Sequence, residues 1–333
     1  MKAVVLVGGF GTRLRPLTLH RPKQMLPVVH RLMIERVVEH LGAHGVDTAV
    51  LALGYRPDAF VDAYPQGRCA GVELHYTVEP EPMDTAGAIR FAALDGGIDE
   101  RFVVVNGDVL TDLDVSALIA AHDRCGAEGT IALHRVEDPS AFGVVPTTPD
   151  GQVTAFIEKP PRDQAPTNLI NAGTYVLEPS VIDRIEPNQR VNVERVTFPA
   201  MVADGRLFAF DGGSYWVDAG TPGTYLAANL DLLSGARGTP ELGVHVDAAV
   251  AGQVDRSVIG DRATVADGAS VVASVVLPGA SIGPGALVRD SIIGPGATIG
   301  ADAIVEKGSV IGDDVVVPAG SRVSGRRVPE EAA

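Results

Sequence analysis

The chain opens on an unbroken apolar run, Ala3 to Val7, that stops at Gly8-Gly9. A short run without polar alternation is the pattern of a parallel strand covered on both faces. The pattern repeats in kind. Helical spacing around Met33 to His44 is followed by a strand at Thr48 to Leu53. Helical spacing near Ala86 to Leu94 then leads to a strand at Phe102 to Val105, which ends in Asn106-Gly107-Asp108. Strands alternating with helices predict an α/β fold with a mainly parallel sheet. Such sheets bind ligands beyond the carboxyl ends of their strands. The Gly-rich loop and the Asp108 loop both lie at such ends, so they are expected to converge. From about Thr130 the reading becomes mixed α+β, with FGVV, TAFIEKP and NAGTYVL as strands before a helix near Pro179 to Ile185.

After Gly235 a Gly- and Pro-bearing segment to Leu242 leads into a region with almost no helical periodicity. Aliphatic residues recur there at Ile259, Val265, Val271, Val276, Ile282, Val288, Ile293, Ile299, Val305, Ile311, Val317 and Val323. The spacing is six except for two steps of five, which mark tightened corners. A hexapeptide period predicts a parallel β-helix, in which each repeat builds one face of a triangular coil and stacking buries the aliphatic column. Twelve such positions make about four coils. A disordered Gly-rich tail would not keep Val, Ile and Leu in phase.

The net charge of −15 across 333 residues argues against a general electrostatic grip on nucleic acid, which is held through Lys and Arg contacts to phosphate. Any phosphate must therefore meet a local basic pocket. Cys69 and Cys125 are the only cysteines and lack metal-site spacing, so neither a disulfide framework nor a zinc site is indicated. The start MKAVVLVGG has no long apolar core or cleavage site, and no later run approaches the length of a membrane span. The expected location is the cytoplasm, with no membrane partner.

The strongest local signal is Gly8-Gly9-Phe10-Gly11-Thr12-Arg13-Leu14-Arg15-Pro16, directly after the first strand. Glycines let the backbone approach a ligand and turn its N–H groups toward phosphate oxygens, while Arg13 can neutralise charge developing on a phosphoryl group. The loop is neither a Walker loop nor the dinucleotide fingerprint. A glycine turn with a surface arginine is the plain structural alternative.

Further segments change that balance. The run GGFGTRLRP, then Arg21-Pro22-Lys23-Gln24-Met25-Leu26-Pro27-Val28, Asn106-Gly107-Asp108, Phe142-Gly143-Val144-Val145, Glu158-Lys159-Pro160, Asn171-Ala172-Gly173 and Trp216-Val217-Asp218-Ala219-Gly220-Thr221-Pro222 follow in order. Together they resemble the sugar-1-phosphate nucleotidyltransferase family over essentially residues 1 to 235. Within it the chain is most similar to mannose-1-phosphate guanylyltransferases (GDP-mannose pyrophosphorylases), which often carry a hexapeptide tail. The resemblance implies an α/β, Rossmann-like catalytic domain with a mainly parallel mixed sheet over 1–235. A linker over 236–245 and a left-handed parallel β-helix over 246–326 would follow.

The implied reaction is attack of a sugar 1-phosphate on the α-phosphorus of a nucleoside triphosphate with release of pyrophosphate, catalysed by positioning and charge stabilisation. By the resemblance Arg13 and Lys23 are the triphosphate and transition-state cations, and Asp108 and Asp218 position Mg²⁺, which prefers hard oxygen ligands. Gly8, Gly9, Gly11, Thr12, Glu79, Gly87 and Asn106 face the nucleotide. Gly143, Glu158, Lys159 and Asn171 hold the sugar phosphate, with Lys159 on its phosphate. An aspartate after a strand is otherwise often just a helix cap.

A carboxylate at Glu79 could accept both N1–H and N2–H of guanine, which favours GTP. Asp84 stands where the relatives usually have glycine, and this keeps open a less common acceptor such as another hexose or heptose 1-phosphate or valienol 1-phosphate. A catalytically silent sensor of nucleotide sugar is a third reading, opposed by the intact Arg13, Lys23, Asp108, Lys159 and Asp218. Gln24 and Leu32 replace prolines of the family pattern and alter loop stiffness. Trp216 is read as a packing residue. His245 is the one histidine near the repeats, so the tail is read as structural and as the route to a homo-oligomer.

Overall fold

The structure is a computed structural model that describes residues 1–54 and 56–330. The chain divides into two units that are discontinuous in sequence. One comprises Met1–Gly9 and Ile34–Trp216; the other comprises Phe10–Met33 and the chain from Val217 onward.

In the first unit the opening apolar run forms β1 (Lys2–Leu6), with Ala3, Val4 and Val5 wholly buried. It pairs in parallel with β2 (Thr48–Leu53), which pairs in parallel with β3 (Val72–Val78). On its other side β1 pairs in parallel with β4 (Phe102–Asn106). β5 (Gly129–Arg135) and β6 (Leu169–Leu177) run antiparallel to one another, and β6 joins β4 antiparallel. β7 (Leu207–Asp211) adds to β5 in parallel. The result is the mixed Rossmann-like sheet expected of the sequence, with its four parallel strands ordered β3-β2-β1-β4.

Helix α1 (Met33–Ala43) follows the predicted spacing, and α2 (Asp84–Asp95) starts two residues ahead of it. α3 (Val115–Cys125) is capped by Asp114, which accepts from the Ala117 N–H at 2.9 Å. The core between α2 and the sheet includes Val4, Val50, Ala86, Ile89 and Val104. β6 carries an irregularity between Asn171 and Tyr175. There Gly173 has φ 73°, and a Cβ on it would lie 2.5 Å from Asn106 Nδ2, so only glycine fits beside the end of β4.

In the second unit α4 (Pro222–Ser234) begins with a Thr221/Thr224 capping box and ends on Gly235 at φ 78°. Beyond it lie three parallel sheets of short strands, the arrangement of a left-handed β-helix. Ile259, Val276, Ile293 and Ile311 stack in register, as do Val265, Ile282, Ile299 and Val317. Burying each such side chain contributes roughly 1.5–3 kcal/mol.

Each sheet has five strands, one more than the twelve hexad positions suggest. The added strands lie at both ends: Val250 and Val254, spaced four apart with Val250 exposed, precede the first expected position in two sheets, and Arg327–Val328, a step of five past Val323, completes the third, so none fits a six-residue period. The two steps of five within the twelve positions have a cause. At those corners one residue, Ala273 or Asp290, takes a left-handed φ and is followed by a buried serine. The backbone N–H of Ser274 donates to Ser257 Oγ at 3.0 Å, and that of Ser291 to Ser274 Oγ at 3.1 Å, forming a ladder inside the corner. The next coil has two left-handed residues, Lys307 and Gly308, before Ser309, which restores the step of six.

Candidate active site

In the first unit Gly8 and Gly9 follow β1 after the buried Val7, exposed, with no atom within 4 Å of a Cβ built on Gly9. Glu79 follows β3, and its Oε1 lies 3.6 Å from the Cβ position of Gly8. Its Oε2 accepts from the Met83 N–H at 2.9 Å, which holds the carboxylate across the start of α2. Burial pushes the Glu79 carboxyl up, the Met83 N–H pulls it back, and Asp84 adds to the rise. Asn106 ends β4, and the Gly107 N–H donates to Leu6 O at 2.9 Å, so the ends of β1 and β4 are tied together. Asp108, next in the chain, is 8% exposed.

Gly87 has a different setting. Its N–H donates to Val191 O at 3.2 Å, and a Cβ would meet Gln189 O at 2.8 Å, so this glycine lets α2 pack against residues 189–191. Asp84 has φ 59°, a region where glycine is at home and most residues are strained. Its Oδ1 accepts from the Asn192 amide at 3.0 Å and from the Thr85 N–H at 2.7 Å.

The residues expected at the sugar phosphate gather around β6. Asn171 Nδ2 donates to Tyr175 Oη at 2.9 Å and to Glu194 Oε1 at 3.1 Å, while its Oδ1 accepts from the Gly173 N–H at 2.9 Å. Lys159 Nζ lies 3.4 Å from Glu158 Oε1. A Cβ on Gly143 would meet the Phe156 ring at 2.7 Å and Glu158 Oε2 at 3.2 Å, so Gly143 makes room for both. Trp216 Nε1 donates to Ala172 O at 2.8 Å, and the indole stacks on His134, which agrees with a packing role.

Glu194 was not singled out by the sequence motifs. It lies in a single π-helical turn, Val193–Thr197, opened by Asn192, whose Oδ1 accepts from the Glu194 and Arg195 N–H groups. Such turns are frequent at functional sites. Burial pushes its carboxyl up, Glu158 adds to this, and Lys159 and the Asn171 amide pull it back. The Asn192-Val193-Glu194 capping pattern is the one local signal that could have drawn attention to it.

In the second unit Gly11 takes φ 59° at the start of a 3₁₀ turn over Thr12–Leu14, and the Thr18 hydroxyl donates to its carbonyl at 2.8 Å. Thr12 and Arg13 are exposed on that turn. Arg13 Nη2 lies 3.6 Å from Asp218 Oδ2, and the Gly220 N–H donates to Asp218 Oδ1 at 2.8 Å. A Cβ on Gly220 would sit 2.6 Å from Arg13 Nη2 and 2.7 Å from Asp218 Oδ1. The glycine of the Asp-Ala-Gly-Thr-Pro segment is thus what lets the guanidinium and the carboxylate meet. Lys23 opens a second 3₁₀ turn, Lys23–Met25, with Gln24 fully buried beside it.

Residues 2–235 match the profile of the family described as Nucleotidyl transferase. The chain belongs to that family. Residues 240–331 match the profile described as the GMPPB C-terminal domain. Among relatives, a Mycobacterium tuberculosis protein named mannose-1-phosphate guanylyltransferase is 39% identical over 81% of this chain and 73% of its own length. A Schizosaccharomyces pombe protein named mannose-1-phosphate guanyltransferase is 44% identical over 71% of this chain and 66% of its own length. A solved structure of HddC from Yersinia pseudotuberculosis complexed with GMP-PN aligns with TM-score 0.57 at 27% identity, covering 68% of this chain and 97% of that one. Family membership makes the chain a sugar-phosphate nucleotidyltransferase. Among the described residues no helix is long and apolar enough to cross a membrane.

Proposed function

We propose that the protein transfers GMP from GTP to mannose 1-phosphate, releasing pyrophosphate and forming GDP-mannose. The observation that carries this reading is the 39% identity over 81% of the chain to a protein named for that activity. The placement of Glu79 supports it. The carboxylate stands beside Gly8 at the carboxyl end of the sheet with one oxygen fixed by the Met83 N–H, and its remaining lone pairs suit the paired donors of guanine. Neither an unusual acceptor nor a silent sensor is favoured by the relatives.

A phosphate oxygen of the sugar 1-phosphate forms the new bond to the α-phosphorus, the bond to the bridging oxygen breaks, and pyrophosphate leaves. Arg13 and Lys23 neutralise the triphosphate and the charge that builds as pyrophosphate departs. Gly8, Gly9, Gly11 and Thr12 offer backbone and hydroxyl donors to phosphate, and Asn106 lies at the nucleotide. Lys159 holds the sugar phosphate, while Glu158 and Asn171, the latter fixed by Gly173 and Glu194, take the sugar hydroxyls. Asp108 and Asp218 would hold Mg²⁺. Both offer hard oxygen, and a pair of carboxylates completed by substrate phosphates is how this ion is commonly bound. The ion would supply charge neutralisation at the phosphates. Gly11, Thr12, Arg13, Lys23 and Asp218 belong to one unit and the other residues to its companion, so their assignment to one reaction rests on the family.

We further propose that the protein works in the cytoplasm, where GTP and phosphosugars are available, and assembles as a homo-oligomer through the β-helix. Purified protein with Mg²⁺ tests the activity across a panel of nucleoside triphosphates and sugar 1-phosphates. GTP with mannose 1-phosphate should release pyrophosphate fastest; no release from any pair would overturn the reading.

A further inference from the structure

The loop that carries Arg13 and Lys23 belongs to the same compact unit as the β-helix. It is anchored there on both sides of Lys23. On the far side, Tyr225 Oη of α4 donates to Pro27 O, and the Val29 N–H donates to Asn229 Oδ1 at 2.6 Å. On the near side the anchor is a corner of the β-helix. Arg21 Nη2 donates to Asp313 Oδ2, and Pro16 packs on Gly312, where an added Cβ would come within 3.0 Å of the proline ring.

The corner departs from its own repeat. Two residues past the column formed by Ile259, Val276, Ile293 and Ile311, the chain has Asp261, Pro278, Pro295 and Asp313. Each precedes the left-handed residue of its turn, where a proline with its fixed φ needs no partner, whereas an aspartate 9% exposed at its side chain does. Asp261 has Arg262 and His245 near it in the surface turn, whereas Asp313 reaches the loop. Arg21 Nε and Asp313 Oδ1 have no hydrogen-bond partner among the described residues, and His20 adds only a weaker attraction to Asp313, so the Nη2–Oδ2 bond is what ties the two side chains. Breaking it from either side leaves a charge in a largely buried position.

We propose that Asp313 is a positioning residue for catalysis: its ion pair with Arg21 makes the β-helix corner a brace for the loop that presents Arg13 and Lys23. The β-helix then acts on turnover from within each chain, apart from any role in assembly. The proposal rests on the functional reading given above for its kinetic consequence, though not for the bracing itself.

Three variants test it: Asp313→Asn, Arg21→Gln, and Glu306→Gln as a control. Glu306 is a buried β-helix acid that pairs with Arg322 at 2.6 Å and does not reach the loop. Hydrogen exchange of the full chain decides the bracing without reference to activity. In Asp313→Asn and Arg21→Gln, amides over residues 14–26 should exchange about tenfold faster than in the parent, and in Glu306→Gln they should not change. In steady-state assays the first two should lower kcat/KM for GTP about tenfold while KM for mannose 1-phosphate stays put, because the Lys159 and Asn171 group lies in the other unit. Parent-like exchange in Asp313→Asn, or equal loosening in Glu306→Gln, would overturn the proposal. A parent that releases no pyrophosphate would remove the functional reading, and the exchange result would still decide the brace.

Discussion

Asp84 accepts a hydrogen bond from the side chain of Asn192 at 3.0 Å, and the two residues together close the start of α2 against the turn that carries Glu194. The carboxylate that stood out in the sequence therefore has a local partner. Its position favours glycine because the backbone there has φ 59°, so the difference from the family pattern is conformational.

Asp84→Gly accordingly relieves about 1 kcal/mol of backbone strain and loses the Asn192 and Thr85 hydrogen bonds, worth about 1 kcal/mol each. Thermal unfolding should show a change of no more than about 1 kcal/mol, and KM for mannose 1-phosphate should stay within about twofold. A KM raised tenfold or more would mean that Asp84 reads the acceptor directly.

Gly220 and Gly223 make a matched pair. A methyl group on Gly220 meets Arg13 Nη2 and Asp218 Oδ1 at under 3 Å, whereas one on Gly223 meets nothing within 4 Å. Gly220→Ala should lower kcat by about a hundredfold, the usual cost of displacing catalytic groups by about an ångström. Gly223→Ala, in the first turn of α4, should keep full activity and stabilise by about 0.5–1 kcal/mol. Equal activities in the two variants would show that the Arg13–Asp218 contact has no part in turnover.

The parallel core and the hexapeptide columns were legible because both are periodic: β2 spans the apolar run Thr48–Leu53, and Ile259 to Val317 fall in the buried columns. The strands at Val250 and Val254 were not, since their spacing breaks the period at an end where stacking covers one side only. Motif residues such as Lys159 and Asn171 were legible by type. Glu194 was not, because its importance comes from Asn171 and Glu158 meeting it across more than twenty residues of chain. No local pattern places residues 10–33 with the β-helix either; that follows from Arg21 and Asp313, which are separated by 292 positions.

Glu128 is the acid of a structural ion pair in the first unit. Arg184 holds it through two hydrogen bonds, at 2.7 and 2.8 Å, and Ser180 adds a third at 2.9 Å. The Arg184 guanidinium keeps the carboxyl below the usual glutamate range, with burial opposing and Ser180 assisting. A depressed value means that the stabilisation is present above the unfolded glutamate range and is lost as pH falls through the lowered folded value. Glu128→Gln should cost about 2 kcal/mol, constant between about pH 6 and 8, because Arg184 loses two charge-assisted hydrogen bonds and keeps only the exposed Asp204, at 2.7 Å, as its acidic partner. Unfolding curves of parent and variant should converge in acid; a gap that widened there would refute the assignment.

The central claim is transfer of the guanylyl group of GTP to mannose 1-phosphate, and GTP labelled at the α-phosphate measures it most directly. With Mg²⁺ and mannose 1-phosphate, the account predicts label in GDP-mannose and none in the pyrophosphate released. Label recovered as GMP, or left in GTP while another nucleotide is consumed, would contradict it.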